Sequence, residues 1–387
     1  MRIAVSRQPG AERDVSPLEL FFDLVYVFAI GQVSHHLVAH VDLRTGAETV
    51  ILALAVFYAW YMAAWGANWL DPDQVPVRMA LVGLMFASLL MSVGIDDAFN
   101  NRAWLFVTGY LLFQIGRCAF LIVALRGRPQ SEHFVNDLVW EVLGGVLWVA
   151  GAIADGDARL LLWGLAVAGA YVGGWAQHWL PGRGRRVDLE HTEIAAGHLV
   201  ERFRLFFMIV LGESVLTMGA AFASEPFEVE RLLALAIGFA GTVALWWCYF
   251  QRAEALGARA AEDAEDAGVV GLWGTWTLTL IVLGVIAIAV ADELAIVHPG
   301  DDATLGFTIL AFGGPALFLV AQLLFQQAAL GRAPRSRALG LGALAILAVA
   351  TAQLTLIVGI AASSAVLIAV AITDTVQEGV QAPSRSA

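Results

Sequence analysis

Long apolar runs alternate with short polar connections along almost the whole chain. A run of about 20 apolar residues is long enough to cross the hydrocarbon core of a bilayer as a helix. The pattern predicts an all-α fold, a polytopic bundle of transmembrane helices in which a turn at Ala361–Ser364 separates the last two. The predicted helices cover residues 17–39, 48–70, 76–96, 103–125, 134–154, 159–180, 196–222, 230–251, 269–292, 303–329, 338–357 and 361–378.

The composition supports a membrane protein and removes several kinds of chemistry. Of the 387 residues, 59% are hydrophobic and 14% are charged, which is far from the average of soluble domains. All 22 basic residues are arginine, so a Schiff base on lysine and a Walker-type phosphate loop are both impossible. Cys118 and Cys248 lie within apolar runs and predict no disulfide framework. We expect no cofactor and no nucleic acid partner, and the lipid bilayer as the surroundings.

The first apolar run, from Ser16 to His40, carries two carboxylates. Pro17 suits the first turn of a helix, and Ser16 before it can act as the N-cap. Glu19 and Asp23 are four residues apart, so they share one face of this helix. Each charge costs about 2.5–3.5 kcal/mol inside a membrane. A partner or a hydrated cavity must therefore face this side of the helix.

The distribution of arginine predicts the orientation of the chain. Fifteen arginines, including Arg337, fall on the side of the N-terminal tail, and four fall on the opposite side. Three more, Arg117, Arg202 and Arg204, lie within helices or at their edges. Because cytoplasmic loops carry the excess of basic residues, we expect both termini in the cytoplasm.

Similar short sequences recur in order in the two halves of the chain. Leu20-Phe21-Phe22 returns as Leu205-Phe206-Phe207, and the offset grows from about 185 to about 205 residues further along. The order predicts a 6 + 6 duplication whose halves are parallel, related by an axis along the membrane normal. The predicted segments are a tail at 1–16, repeats at 17–180 and 196–378, a linker at 181–195 and a disordered tail at 379–387. The acidic stretch 252–268 is read as a solvated helical extension or a linker.

Several further ionisable residues fall inside predicted helices. Glu213 lies deep in helix seven and is expected to face the protein interior. Arg117 lies near the middle of helix four and needs a carboxylate; the candidates are Asp23 first, Glu213 second, and Glu141. Asp137 and Glu141 on helix five repeat the four-residue spacing of helix one, and Asp374 lies in the last helix.

Other charged residues have simpler interpretations. His198, Glu201 and Arg202 lie near the cytoplasmic end of helix seven, where they can anchor the helix at the interface. Four acidic residues fall at outer helix ends and are expected to be solvated; they are Asp96, Asp97, Asp292 and Glu293.

Metal and hydrolase chemistry are not predicted. His36 with His40, and His198 with Glu201, supply two ligands each, fewer than the three or four that a metal site requires. No glycine-flanked serine elbow is present.

Two stretches resemble a known family. Pro17-Leu18-Glu19-Leu20-Phe21-Phe22-Asp23-Leu24-Val25-Tyr26-Val27-Phe28 resembles the opening motif of the bacterial low temperature requirement protein A family. His198, Glu201-Arg202 and Leu211-Gly212-Glu213-Ser214 resemble its second motif. The resemblance implies a multi-pass protein of the bacterial plasma membrane, linked to growth in the cold. It marks Glu19, Phe22, Asp23, Glu201, Arg202, Gly212 and Glu213 as key positions.

A weaker resemblance concerns mechanism. The stretch from Phe22 to Ile30 is similar to the Phe-Ser-Asp-x-Val-Phe-Ala-Ile opening of a family of potassium channels built on six-helix repeats. In those channels helix one lines the pore. Here Phe22 stands where that motif has serine, and the second half of the chain has Met208 or Leu205 where its aspartate would fall.

The leading hypothesis is a permeation protein that moves a small solute or ion along a cavity between the repeats. The residues expected to line this cavity are Glu19, Asp23, Arg117, Glu141, Glu201, Arg202 and Glu213. The hypothesis predicts no enzymatic activity, and a homo-oligomer is possible. Two alternatives remain open: a lipid-modifying enzyme with Glu213 as acid or base, and a structural or regulatory membrane protein whose charges lock helix packing.

Overall fold

A computed structural model describes residues 15–184, 196–262, 267–330 and 334–381. Within these ranges the chain is all α-helical, apart from two isolated bridges, as the sequence predicts. The helices are α1 (Pro17–Ala39), α2 (Leu43–Ala67), α3 (Val75–Ile95), α4 (Ala103–Ala124), α5 (Pro129–Ile153), α6 (Gly156–Trp175), α7 (Ala196–Ser224), α8 (Val229–Glu262), α9 (Ala267–Val297), α10 (Leu305–Leu330), α11 (Arg335–Thr351) and α12 (Leu356–Gln381).

Eleven of the helices in the described ranges are long and apolar enough to cross a membrane. The exception is α11, which has 17 residues. At 1.5 Å per residue it is about 26 Å long, somewhat shorter than the hydrocarbon core. The protein is therefore a multi-pass helical bundle.

Several predicted boundaries were wrong. The turn between α11 and α12 lies at residues 352–355 and not at Ala361–Ser364. Both segments around it are apolar, so hydropathy alone could not locate the break. The acidic stretch continues α8 as far as Glu262, in line with a helical extension, while residues 263–266 lie outside the described ranges. The helix α12 extends to Gln381 and so includes residues that were assigned to the tail.

The chain divides into two compact units. The first contains the chain up to His36 together with Arg44–Arg202, and the second contains Leu37–Leu43 and the chain from Phe203 onward. In the first unit α3 packs on α4, α4 on α5 and α5 on α6; in the second α9 packs on α10, α10 on α11 and α11 on α12. The predicted tail (1–16) and linker (181–195) fall largely outside the described residues.

An aromatic pair recurs at equivalent places in the two units. The ring centroids of Phe22 on α1 and Phe113 on α4 are 6.2 Å apart. Those of Phe207 on α7 and Phe318 on α10 are also 6.2 Å apart. Phe207 follows Phe22 by 185 residues, and Phe318 follows Phe113 by 205 residues, the range of offsets read from the sequence repeat.

A close helix crossing recurs in the same way. A Cβ atom on Gly109 of α4 would lie 2.3 Å from the backbone nitrogen of Met91, so α3 and α4 touch through their backbones. Gly314 of α10, 205 residues after Gly109, makes the same approach to Gly284 and Ile288 of α9. These contacts support the duplication, and the symmetry axis that relates the halves stays a prediction.

The predicted orientation can be tested with reporter fusions. Reporters joined after Ser131 and after Pro299 are expected on opposite sides of the membrane, with the one at Ser131 in the cytoplasm. The reason is that an odd number of predicted spans separates the two positions. Paired phosphatase and fluorescent-protein fusions measure this directly. The same side for both positions would disprove the predicted layout.

Candidate functional site

The first candidate site is a buried charge cluster in the first unit, here called the Arg202 cluster. It contains Glu19 and Asp23 of α1, Trp60 of α2, and His198 and Arg202 from the start of α7. Arg202 holds Asp23 in a bidentate pair, with Nη2–Oδ1 at 2.6 Å and Nε–Oδ2 at 3.1 Å. Its Nη1 lies 3.3 Å from Oε1 of Glu19. Such a fork is the geometry in which arginine binds a carboxylate most strongly.

Two further contacts complete the Arg202 cluster, although neither ring nitrogen of His198 makes a hydrogen bond to a described residue. Trp60 donates its indole N–H to Oδ1 of Asp23 at 2.7 Å, and Nε2 of His198 lies 3.2 Å from Oε1 of Glu19. All five side chains are buried. Arg202 is therefore a buried partner of helix α1, and the prediction of an interfacial anchor was wrong.

Local sequence positions Glu19 for this role. The backbone N–H of Ser16 donates to Oε2 of Glu19 at 2.9 Å, and the backbone N–H of Glu19 donates to Oγ of Ser16 at 3.3 Å. This reciprocal pair is a capping box, and it confirms Ser16 as the N-cap. Glu19 thus caps the start of α1 with Oε2 and contacts Arg202 with Oε1.

The second candidate site, the Arg117 cluster, joins α4 to α5. It contains Gln114, Arg117, Asp137 and Glu141. Arg117 Nη1 donates to Oδ2 of Asp137 at 2.8 Å, and its Nε donates to Oε1 of Gln114 at 3.2 Å. Oε1 of Glu141 lies 3.7 Å from Nη2 of Arg117 and accepts a hydrogen bond from Gln114 at 3.2 Å.

The predicted partner of Arg117 was wrong. Asp23, the first choice, is held by Arg202, and Glu213, the second choice, belongs to the second unit. Of the three candidates, Glu141 alone contacts Arg117, and it does so at longer range than Asp137. The sequence marked helix five through its paired carboxylates, but it could not show which of them the guanidinium meets.

A histidine that sequence reasoning missed completes this cluster. Nε2 of His178, just beyond α6, lies 3.4 Å from Oδ1 of Asp137 and 3.4 Å from the hydroxyl of Tyr58. His178 has a φ of 51°, a left-handed backbone conformation that is uncommon for residues other than glycine. Burial lowers the pKa of His178, although the Asp137 carboxylate acts in the opposite direction. The imidazole is therefore neutral near pH 7.

Hydrogen bonds from α5 hold the loop that carries His178. Nδ2 of Asn136 donates to the carbonyl of Gly184 at 3.0 Å, and the indole N–H of Trp140 donates to the carbonyl of Trp179 at 3.1 Å. Strained backbone persists where the surroundings fix it, and it is frequent at functional sites. No sequence signal pointed to this position.

Several polar atoms in or beside the Arg117 cluster are buried without a hydrogen bond to a described residue. Nη2 of Arg117, Oδ1 of Asp137 and Nε2 of the neighbouring His133 are buried and make no hydrogen bond to a described residue, so the approaches of Glu141 and His178 lie within ion-pair distance but are not hydrogen bonds. Arg117 lines a cavity of about 20 Å³ between α2, α3 and α4, which is room for about one water molecule. Unsatisfied buried polar atoms are rare in native proteins and call for an explanation.

Both clusters lie near the same end of their helices. Asp23 and Asp137 fall in the first half of α1 and α5, and Trp60 and Arg117 fall in the second half of α2 and α4. Because consecutive helices alternate in direction across a membrane, these positions face one side. It is the side on which the arginine distribution predicts the cytoplasm.

The other predicted site residues lie elsewhere. Glu213 is half-buried on α7 and accepts a hydrogen bond from Thr217 at 3.3 Å. Glu201 is half-buried beside Arg202. A Cβ atom on Gly212 would meet nothing within 4 Å, so close packing does not explain this glycine. Phe22 is buried against Tyr26 and Phe113.

The second unit has a buried pair of its own. Arg337 was counted with the cytoplasmic loops, but it is fully buried and paired with Asp374 of α12. Nη2 of Arg337 donates to Oε1 of Gln322 at 2.8 Å. Gln322 follows Arg117 by 205 residues, so a glutamine occupies the place of Arg117 and the arginine comes from the next helix.

The acidic residues at the outer helix ends do not all behave as expected. Asp96 is exposed, as predicted. Asp292 is 3% exposed and lies within α9, so the expectation that it is solvated was wrong. Among the described residues, no group of three or more His, Cys, Asp or Glu side chains could hold a metal ion.

Two comparisons with known proteins give consistent results. The family described as bacterial low temperature requirement A protein (LtrA) matches residues 14–372. A protein of Rhizobium meliloti (strain 1021), named as the uncharacterized protein RA0937, is 32% identical over 342 residues, which cover 88% of this chain and 82% of the relative.

Proposed function

The chain belongs to the bacterial low temperature requirement A family, and we propose that it is a permeation protein of the plasma membrane. It moves a small solute or ion across the bilayer. In this proposal the Arg117 cluster binds the moving species or a proton coupled to it. The chain acts by translocation and catalyses no covalent step.

The observation that carries the proposal is that Glu141, the second buried carboxylate of the Arg117 cluster, lies 3.7 Å from the guanidinium, beyond hydrogen-bond distance. Two buried carboxylates, Asp137 and Glu141, face one guanidinium, and the neighbouring His178 is neutral because burial lowers its pKa. An unbalanced carboxylate inside a membrane is costly, and such residues mark ion and proton pathways. Glu141 therefore takes up a proton or a cation.

The Arg202 cluster supports a different role. Its guanidinium is bidentate to Asp23 and also meets Glu19, and Trp60 fills a further position on Asp23. A cluster with this degree of pairing favours a structural lock between α1 and the start of α7. The same pairing is what favours the second candidate function, a structural membrane protein without transport.

Flux measurements on proteoliposomes test the proposal. Vesicles that contain the full chain are expected to conduct protons, Na⁺ or K⁺ faster than empty vesicles. Glu141→Gln is expected to remove most of this difference, because the amide cannot take up a proton or balance a cation. The readout is an internal pH dye, or an ion dye, under an imposed gradient.

A matched control and two contrary outcomes complete this test. Glu230→Gln changes an exposed carboxylate on α8 and is expected to leave the flux unchanged. If protein-containing and empty vesicles conduct all three ions equally, the proposal of a proton or cation pathway through the Arg117 cluster is wrong, and the structural alternative is favoured over it. If Glu141→Gln conducts like the natural chain, the Arg117 cluster is not the site.

A further inference from the structure

A buried aspartate in the second unit lies apart from both clusters. Asp292 is in α9, five residues before the helix ends at Val297, and it is 3% exposed. A Cβ atom on Gly238 of α8 would lie 3.0 Å from the carboxyl carbon of Asp292 and 2.8 Å from Sδ of Met218 on α7. The carboxyl group therefore lies directly against the backbone of α8, in space that the glycine leaves open.

The Asp292 carboxyl group is not paired with a cation among the described residues. Its Oδ2 is buried without a hydrogen bond, and no arginine or histidine among the described residues lies within 4.0 Å of it. The other buried membrane aspartates differ in this respect. Asp23, Asp137 and Asp374 are each paired with an arginine.

The charged groups on the helices around Asp292 are engaged elsewhere or are acidic. On α7, Glu213 is bonded to Thr217. On α8, Arg231 pairs with Glu225 at 2.9 Å and lies 3.6 Å from Glu228. On α9, Glu293 adds a further carboxylate next to Asp292. The surroundings therefore do not favour the ionised form.

The first unit shows that packing does not require a carboxyl group here. In the repeated helix crossing, Ala87 and Met91 of α3 correspond to Gly284 and Ile288 of α9, an offset of 197 residues. The same offset relates Ile95 to Asp292. Ile95 is fully buried, so one copy of the fold fills this position with an apolar side chain.

We propose that Asp292 is a proton-binding site of the second unit. The carboxyl group carries a proton in the buried position that the structure describes, and it releases that proton only when water or a cation reaches it. Loss of the proton leaves a carboxylate, and its return restores the acid, so the site needs no other reactant. The inference rests on burial and on the missing partner, and it holds whether or not the chain conducts ions.

Chemical labelling of the intact chain tests this site. Dicyclohexylcarbodiimide, an apolar reagent, takes the proton of a carboxylic acid on one of its nitrogens while the carboxyl oxygen adds to its central carbon. The adduct keeps every atom of both molecules. At neutral pH we expect at least about tenfold more adduct on Asp292 than on the paired Asp23, Asp137 or Asp374, because an adjacent arginine lowers the protonated fraction by that factor or more. Peptide mass spectrometry measures each site.

A second measurement does not depend on access of the reagent. The infrared spectrum of the intact chain is expected to contain the C=O stretch of a protonated carboxylic acid that shifts in D₂O and is absent in Asp292→Asn. Absence of this band at neutral pH overturns the proposal, whatever the labelling shows. Equal labelling of Asp292 and the three paired aspartates also overturns it. Asp292→Ile, which copies the first unit, serves as a second variant and is expected to fold and to lack the band.

Discussion

Replacing Arg202 by leucine is expected to lower the free energy of unfolding by about 3–5 kcal/mol, because buried carboxylates lose their cation. Asp23 and Glu19 both contact this guanidinium and have almost no access to water. Asp23→Leu is also expected to destabilise, since it leaves Arg202 without its bidentate partner. The measurement is reversible unfolding in mixed micelles, followed by tryptophan fluorescence.

The double variant distinguishes a true pair from two independent losses. Arg202→Leu with Asp23→Leu is expected to be more stable than the sum of the single changes predicts, because neither charge is then left alone. Recovery is partial, since Glu19 loses its guanidinium partner and keeps His198 and the backbone N–H of Ser16. The combination of Arg117→Leu with Asp23→Leu is the control, and its two effects are expected to add within about 0.5 kcal/mol. Additive losses for Arg202 and Asp23 would disprove the pairing.

The sequence predicted that each buried charge needs a partner. It included Glu141 among the candidates for Arg117, but it did not identify the closer partner, Asp137. The cost of a lone charge in a bilayer follows from composition and position alone. The choice between Asp23 and Asp137 for Arg117 depends on which helices are neighbours and how each is rotated about its axis. A membrane helix is apolar on all sides, so its sequence has little periodicity from which its neighbours and its rotation could be predicted. These depend on how the helices pack. His178 escaped notice because its site depends on a left-handed loop conformation.

The helices themselves could be predicted well for a plain reason. A membrane helix must satisfy its backbone within one apolar segment, so segment length limits the possible answers. Boundaries were wrong where the first turns of a helix contain polar residues, as in α2, which begins at Leu43 and continues with Arg44 and Thr45. They were also wrong where two apolar segments meet, as between α11 and α12. Asp292 was misplaced for the related reason that α9 continues beyond it to Val297.

The repeat was visible in the sequence as weak matches in a constant order, and the contacts give it a physical basis. A close helix crossing requires one small residue at the point of closest approach, and two residues at a fixed spacing on the opposite helix that contact it. Gly109 and Gly314 meet this requirement in the two units. The charged residues do not take part in this close contact. Arg117 and Arg337 can therefore lie on different helices of the two units while the crossing stays the same.

The crossing gives the other large expected effect. Gly109→Ala is expected to lower the free energy of unfolding by about 3 kcal/mol, the upper end of the range for overpacking. The new methyl group would lie 2.3 Å from the backbone nitrogen and 2.7 Å from Cα of Met91. Backbone atoms cannot rotate aside as a flexible side chain can, so α3 and α4 have to separate. Unfolding in mixed micelles measures the loss.

The two units provide both a replicate and a control for this change. Gly314→Ala would place its methyl group 2.7 Å from the carbonyl oxygen of Gly284 and 3.0 Å from the backbone nitrogen of Ile288, so a loss of similar but smaller size is expected. Gly83→Ala lies on α3 with nothing within 4 Å of the new atom and is expected to cause no loss, since alanine favours a helix over glycine. If Gly109→Ala is as stable as Gly83→Ala, the helices do not cross through their backbones, and the equivalence of the two crossings fails with it.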